Sequence, residues 1–405
     1  MKRYWRWLAV AGLTAIAGSA LAGQQRQELS PAAQQLVSAA LAGLQGETLI
    51  DCHAHLAGLG TDGSGAAVRP ELRSVWHPAQ WLRFRTYLMA AGVRNEAHAD
   101  SEYLAVLAAR ARALPVRLRL CVFAFDHAYR PDGSVDTNAA PYYVPNDYAL
   151  RATRAYPDIF IPVASVHPYR ADAVAELDRC AAAGVRLVKW LPNVQNIDPA
   201  DTRCLPFYRA LVRNRMALIT HGGDENAFGG TVQQAYGNPL RLRAALDAGC
   251  TVIVAHCAAE GEGEDLDAPA GADGRRPRAA NLALFLRLLD GTRYRGRVYG
   301  DLSSLTQLNH AQEALPTLLA HPELHDRLIN GSDYPLPGVD TLNSSYYLAA
   351  HGYLTWHEAR LLEEIQRANP LLYDIVLKRT LRDPQSGARL PAAVFGTTMR
   401  RAVRQ

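Results

Sequence analysis

Thr48-Leu49-Ile50-Asp51-Cys52-His53-Ala54-His55 decides how the rest of the chain is read. Thr48, Leu49 and Ile50 form an apolar run that reads as the start of a short buried strand. His53 and His55 follow at its C-terminal end, two residues apart, so on an extended strand their side chains share one face. Neutral imidazole is the commonest nitrogen ligand for zinc-like metals. Taken alone, such a pair is weak evidence, because paired histidines on a solvated strand face are common. Its weight comes from what recurs downstream.

Seven further β-branched runs end in polar or Gly/Pro signals, and each predicts a strand. They are 117–126 (RLRLCVFAFD), 160–168 (FIPVASVHP), 185–192 (VRLVKWLP), 216–223 (MALITHGG), 250–257 (CTVIVAHC), 297–304 (RVYGDLSS) and 327–335 (RLINGSDYP). Helical patterns lie between them. Residues 171–183 carry Val174, Leu177 and Ala181 at helical spacing before Gly184. Residues 205–214, 239–248, 280–289 and 311–319 behave similarly. This alternation predicts an α/β fold, a closed parallel (β/α)8 TIM barrel in one domain. An open doubly wound sheet would not explain polar residues at strand C-termini around the whole order.

The barrel is expected over 48–382, with an N-terminal helical segment at 23–47, closing helices at 356–382 and a tail at 383–405. Gly-rich 58–73 and charged 260–278 are long loops after strands one and six, read as lids or as disordered segments.

The predicted strand ends carry His53, His55, Lys189, His221, His256 and Asp333. Each alone has a bland reading: a salt-bridged lysine, a satisfied core histidine, or a turn-capping aspartate in Gly331-Ser332-Asp333-Tyr334-Pro335. Barrel closure brings all six to one ring, and ligands from separate rigid strands are what a precisely held metal needs. Asp126, His127, His167, Asp224, Glu225, Asn226 and Asp301 are secondary candidates, equally readable as caps, turns or salt bridges. Trp76, Trp81, Arg83, Phe84 and Arg85 read as core rather than pocket.

The 405 residues are 49% hydrophobic and 20% charged, an ordinary globular composition. Basic Met1-Lys2-Arg3-Tyr4-Trp5-Arg6, the apolar run 8–17 and the small-x-small Ala20-Leu21-Ala22 predict a signal peptide over 1–22. The run is too short for the roughly 20 residues of a membrane span. Export to the periplasm or medium is therefore expected, with no stable membrane anchor after cleavage. Loss of Lys2, Arg3 and Arg6 leaves 40 basic against 39 acidic side chains, so nothing suggests a nucleic-acid partner. The six cysteines show no metal or disulfide spacing and are expected to be mostly buried free thiols. Cys52 and Cys257, each beside a site histidine, should alternate outwards.

The motifs IDCHAH, VASVHP, GVRLVKWLP, THGG, IVAHC and NGSDYP, with the tail IQRANPLLYD, together resemble the amidohydrolase superfamily, most closely its amidohydrolase-2 branch. The resemblance spans 48–382. It implies that His53, His55, His221 and Asp333 bind a divalent metal, Zn2+ first among candidates, with Asp333 also accepting protons. His256 would be a second-metal ligand or a group polarising the substrate. Lys189 would bridge two ions if carboxylated, or face an anionic substrate group if there is one ion. The expected activity is hydrolysis of an amide, lactone or ester-like bond in a small molecule. Non-oxidative decarboxylation is the alternative, and a catalytically inactive ligand-binding barrel the third. A homo-oligomer is compatible with such barrels.

Overall fold

The apolar run at Thr48 opens an eight-residue strand, Thr48–His55 (β1), whose body is fully buried. Seven more strands follow with the expected order and parallel pairing: Arg117–Phe123 (β2), Phe160–Val163 (β3), Leu187–Trp190 (β4), Ala217–His221 (β5), Val252–Ala255 (β6), Val298–Asp301 (β7) and Leu328–Ile329 (β8). The computed structural model describes residues 28–404 except 131, 137, 138, 227–231 and 309. The expected signal peptide at 1–22 lies outside the described residues.

β1, β2 and β3 form one parallel sheet, and β4 to β8 a second. Two seams join them into a ring. Ala164 bridges Val188 between β3 and β4, and Ala54 bridges Tyr334 beyond β8. The second seam is reinforced where the Cys52 amide donates to the Asn330 carbonyl (2.8 Å) and the Asp333 amide to the His53 carbonyl (2.8 Å). Gly331 permits this approach, since a Cβ there would lie 2.8 Å from His53 Cβ. The strands are shorter than expected because their polar C-terminal residues leave the ladder and turn into the mouth.

Alternating residues fill the barrel. Phe123, Val163, Leu187, Ile219, Ile253, Tyr299 and Ile329 form an interior cluster separate from the larger layer between strands and helices. Cys52 belongs to this interior cluster and does not point outwards as expected. The pairing register of β1 shifts between Asp51 and Ala54. This bulge resets the alternation, so Cys52 faces inwards and His53 and His55 still reach the mouth. Cys257 packs in the outer layer as expected. All six cysteines are buried and free.

The helical region 356–382 is two helices, Trp356–Ala368 and Pro370–Thr380. Pro370 cannot continue the first, and the Asn369 side chain caps the second by accepting from the Leu371 amide. The expected tail also holds a helix, Thr397–Arg404, that seals the N-terminal end of the barrel with Met399 and Ala402 inside the interior cluster. Loop 260–278 is ordered by an antiparallel ribbon, Glu262–Glu264 against Arg278–Ala280. Loop 58–73 pairs through Ala67–Val68 with Tyr142–Tyr143 from the loop after β2.

Met399 is the plug's deepest test. Met399→Ala should lower the unfolding free energy by about 2–5 kcal/mol, read from denaturant titration. A change below 0.5 kcal/mol would show that the helix does not support the barrel.

Candidate functional site

β1 delivers two imidazoles side by side. His53 is buried, and its Nδ1 lies 2.8 Å from Asp301 Oδ2 at the end of β7. The acceptor-only carboxylate fixes the proton on Nδ1, which leaves Nε2 as a lone pair facing the mouth. That lone pair meets Asp333 Oδ1 at 3.4 Å. His55 Nε2 reaches the same oxygen at 3.0 Å. His256 sets its Nδ1 3.0 Å from the Ser303 carbonyl, so its neutral ring also turns a bare Nε2 inwards. Among the described residues, His53, His256 and Asp333 offer ligand atoms all within 4.8 Å of one another.

The backbone is bent to achieve this. His256, Cys257 and Ala258 have φ of 55°, 51° and 53°, Ser304 has 59° and Asp333 has 60°. These are left-handed conformations in non-glycine residues, on the order of 1–3 kcal/mol each. They turn the ends of β6, β7 and β8 towards one point. Strand alternation alone would send His256 outwards, beside Ile253 and Ala255 on their opposite parity.

Burial decides the charges. Desolvation, aided by the Lys189 charge, pushes the His53 pKa down to about 3, so the ring is neutral. Burial is also the largest cause lowering His221 and His256; for His256 the Asp333 and Asp301 carboxylates oppose that shift without overcoming it. For Asp301 and Asp333 burial acts upwards, but the surrounding histidines, joined by Lys189 at Asp301, outweigh it and hold both below the ordinary carboxylate range. Neutral nitrogens converging on an ionised carboxylate suit a divalent cation. Asp333 Oδ1 supports this fit: it is buried, its 3.0 Å approach to His55 Nε2 lacks hydrogen-bond geometry, and it faces the His53 lone pair. Asp333 Oδ2 is satisfied by Ser304 Oγ at 2.5 Å.

The other expected residues divide. His221 is at the mouth, its ring 5.3 Å from His256, but Nε2 lies against the Asp224 carbonyl (3.3 Å) and Glu225 (3.6 Å). Lys189 is buried with no hydrogen-bond partner for Nζ, which sits 5.1 Å from the Phe123 ring centre. Burial lowers its pKa. Asp224, Glu225 and Asn226 line the cavity. Asp126 and His167 do not: Asp126 accepts from the His127 and His167 amides and from Arg170, and His167 Nε2 donates to the Gln195 carbonyl. Of the residues expected in the core, Phe84 is buried but also lines the cavity, Arg83 lines the cavity, and Trp76 is 88% exposed. The helix Pro78–Ala91, which carries Arg83 and Phe84, lines the cavity.

Ser303, Ser304, Glu260 and His310 were not singled out by sequence. His310 stacks on His256, with Nε2 3.0 Å from Glu260 and Nδ1 3.0 Å from the Ser304 carbonyl. The available signal was the polar run Asp301-Leu302-Ser303-Ser304 ending a strand. Ser304, Glu260 and His310 open, with His53, His55, Lys189, His221, His256 and Asp333, into one cavity of about 440 Å³, within the size range of small-molecule sites.

The sequence model of the family described as Amidohydrolase matches residues 50–370. No curated protein matches the chain. Among solved structures, the chain is similar to an uncharacterised TIM-barrel protein from Bordetella bronchiseptica at 19% identity, covering 79% of this chain and 99% of that one, with a TM-score of 0.47. It is also similar to 5-carboxyvanillate decarboxylase from Sphingomonas paucimobilis at 13% identity, covering 88% and 99%, with a TM-score of 0.46.

Two outcomes follow from this geometry. Asp301→Asn can present an amide to His53 Nδ1 and move the ring proton to Nε2. Affinity for a divalent metal ion should then fall about 10–100-fold by chelator competition, with the circular dichroism spectrum unchanged. An unaltered affinity would remove Asp301 as the group orienting His53. Separately, burial holds the His167 pKa down at about 3, so only the unfolded chain takes up this proton between about pH 6.5 and 3. Stability is lost as pH falls through that window. His167→Gln should flatten the slope by up to about 1.4 kcal/mol per pH unit in denaturant titrations at stepped pH.

Proposed function

The chain belongs to the amidohydrolase family, and from that premise we propose that it is an exported, zinc-dependent hydrolase of an amide, lactone or ester-like bond in a small molecule. One observation carries the reading: His53, His256 and Asp333 converge within 4.8 Å at the floor of a single cavity, where neutral rings face an ionised, unsatisfied carboxylate oxygen. His53, His55 and Asp333 would hold the ion, with His221 or His256 completing the set. The Nδ1 contact of His256 with the Ser303 carbonyl supports a ligand role over donation to an oxyanion, because the neutral ring has no proton left on Nε2.

When bound, a divalent ion supplies Lewis-acid activation of water and of the substrate carbonyl. The protein residues do the rest. Asp333, ionised and fixed by Ser304, accepts the proton of the attacking water at Oδ1 and returns it to the leaving group. Asp301 keeps His53 in the ligating tautomer. Glu225 and the Asp224 carbonyl orient His221.

A second reading is decarboxylation of a small carboxylic acid. It is favoured by Lys189, a buried cationic group without a hydrogen-bond partner, suited to a substrate carboxylate.

The zinc-loaded protein, offered amides, lactones, esters and carboxylic acids, separates the readings by its product. Acid release with no carbon dioxide supports hydrolysis, and carbon dioxide release supports the second reading. Asp333→Asn should reduce kcat by about 10²–10⁴-fold on the responding substrate. Wild-type protein that binds none of zinc, manganese and cobalt would overturn both. Zinc content in Lys189→Ala distinguishes one ion, unchanged, from two ions bridged by a carboxylated lysine, where it falls.

A further inference from the structure

The helix Pro78–Ala91 is unusually empty for its length. Of 14 residues it buries only Phe84, Ala90 and Ala91. Yet Gln80, Arg83, Phe84, Tyr87, Leu88 and Ala91 recur at three- and four-residue steps and all line the cavity. One whole face of the helix therefore looks into open space instead of into a packed layer. The rest of the cavity lining adds apolar side chains: Val68 and Leu72 come from the loop after β1, and Leu336 and Leu342 from the segment beyond β8.

This apolar chamber adjoins the ligand cluster. The Tyr334 hydroxyl donates to the Ala91 carbonyl at 3.0 Å, which ties the C-terminal end of the helix to the residue next to Asp333. Gln80 and Arg83 lie at the helix's opposite end. The cavity is thus polar and charged at its floor, apolar along its side and polar again at the far end of the helix. A small, highly charged substrate would leave the apolar wall wet.

We infer that the substrate carries an apolar hydrocarbon body joined to its reacting group, and that Leu88, Tyr87 and Phe84, together with Leu72, hold that body beside the ligand cluster. The inference rests on the reading of the cluster as the reacting centre and adds the substrate class. A carboxylate head with a hydrocarbon chain is a fair probe for either reaction, being the product type of acyl hydrolysis and the substrate type of decarboxylation.

The test is calorimetric titration of zinc-loaded protein with butanoate, hexanoate, octanoate and decanoate. Full burial of each added methylene should tighten binding about fourfold. In Leu88→Gln and Leu72→Gln, which alter half-buried wall positions, the increment per methylene should drop by at least half. A flat series in wild type, or an equally steep series in both variants, overturns the inference. Repeating the series without zinc separates the two claims. A chain-length ladder with no zinc binding keeps the apolar chamber and sinks the metal reading, whereas zinc binding with a flat series does the reverse.

Discussion

The seam between β8 and β1 is the constraint on which the site depends. There the Asp333 amide donates to the His53 carbonyl, so the carboxylate and an imidazole of one cluster are tied by the bond that helps close the barrel. Asp51 reinforces the tie, its Oδ1 accepting from the amides of His53 (3.0 Å) and Ser332 (2.9 Å). From outside, Lys378 Nζ donates to the Gly331 carbonyl at 2.5 Å while paired with Asp374. A buried pair of this kind adds little net stability, but it holds a turn whose backbone could otherwise relax. Ring closure and the placement of this cluster are thus one set of hydrogen bonds.

Electrostatics explains why that set has to be rigid. Three neutral imidazoles, two ionised carboxylates and Lys189 share a buried volume, and each would relax if the backbone allowed it. The imidazoles could rotate to hydrogen-bond with Asp333. Instead, Asp301 and the Ser303 carbonyl engage the Nδ1 atoms of His53 and His256, and the Nε2 lone pairs stay aimed at an unsatisfied oxygen. The left-handed residues His256, Ser304 and Asp333 belong to the same economy of position, because strain persists only where surrounding contacts over-determine it.

The barrel was legible in the sequence because fully buried parallel strands read as short β-branched runs, and their order needs no geometry beyond alternation. His53, His55, His256 and Asp333 were legible for the same reason, as polar residues that end such runs. What could not be read is whatever breaks a period. The bulge at Asp51–Ala54 turned Cys52 inwards against simple alternation. The left-handed turn at His256 brought a ring to the mouth from the wrong parity. The helix Thr397–Arg404 carries only Met399, Ala402 and Val403 as its apolar side, too few to distinguish a barrel plug from a polar tail before the barrel exists. Phe84 read as core because an aromatic on a helix face is the same signal whether protein or ligand covers it.

That last ambiguity exposes a division within the fold. Strand ends, held by the seam and by buried carboxylates, fix the atoms that would do chemistry. The helix Pro78–Ala91 and the ribbon joining Ala67–Val68 to Tyr142–Tyr143 supply the wall, and they have little core of their own. The ribbon still reaches the floor, since Tyr142 Oη lies 3.4 Å from His55 Nδ1. Asp100 clasps the loop beneath it, accepting from the Leu59 and Gly60 amides and from Ser64 Oγ. The wall is therefore anchored at its edges and underpacked at its centre. An underpacked apolar centre gains most from a ligand that supplies the missing contacts, because each buried methylene leaves water without disturbing any existing packing. The floor can then stay constant while substitutions in the wall change what the barrel accepts.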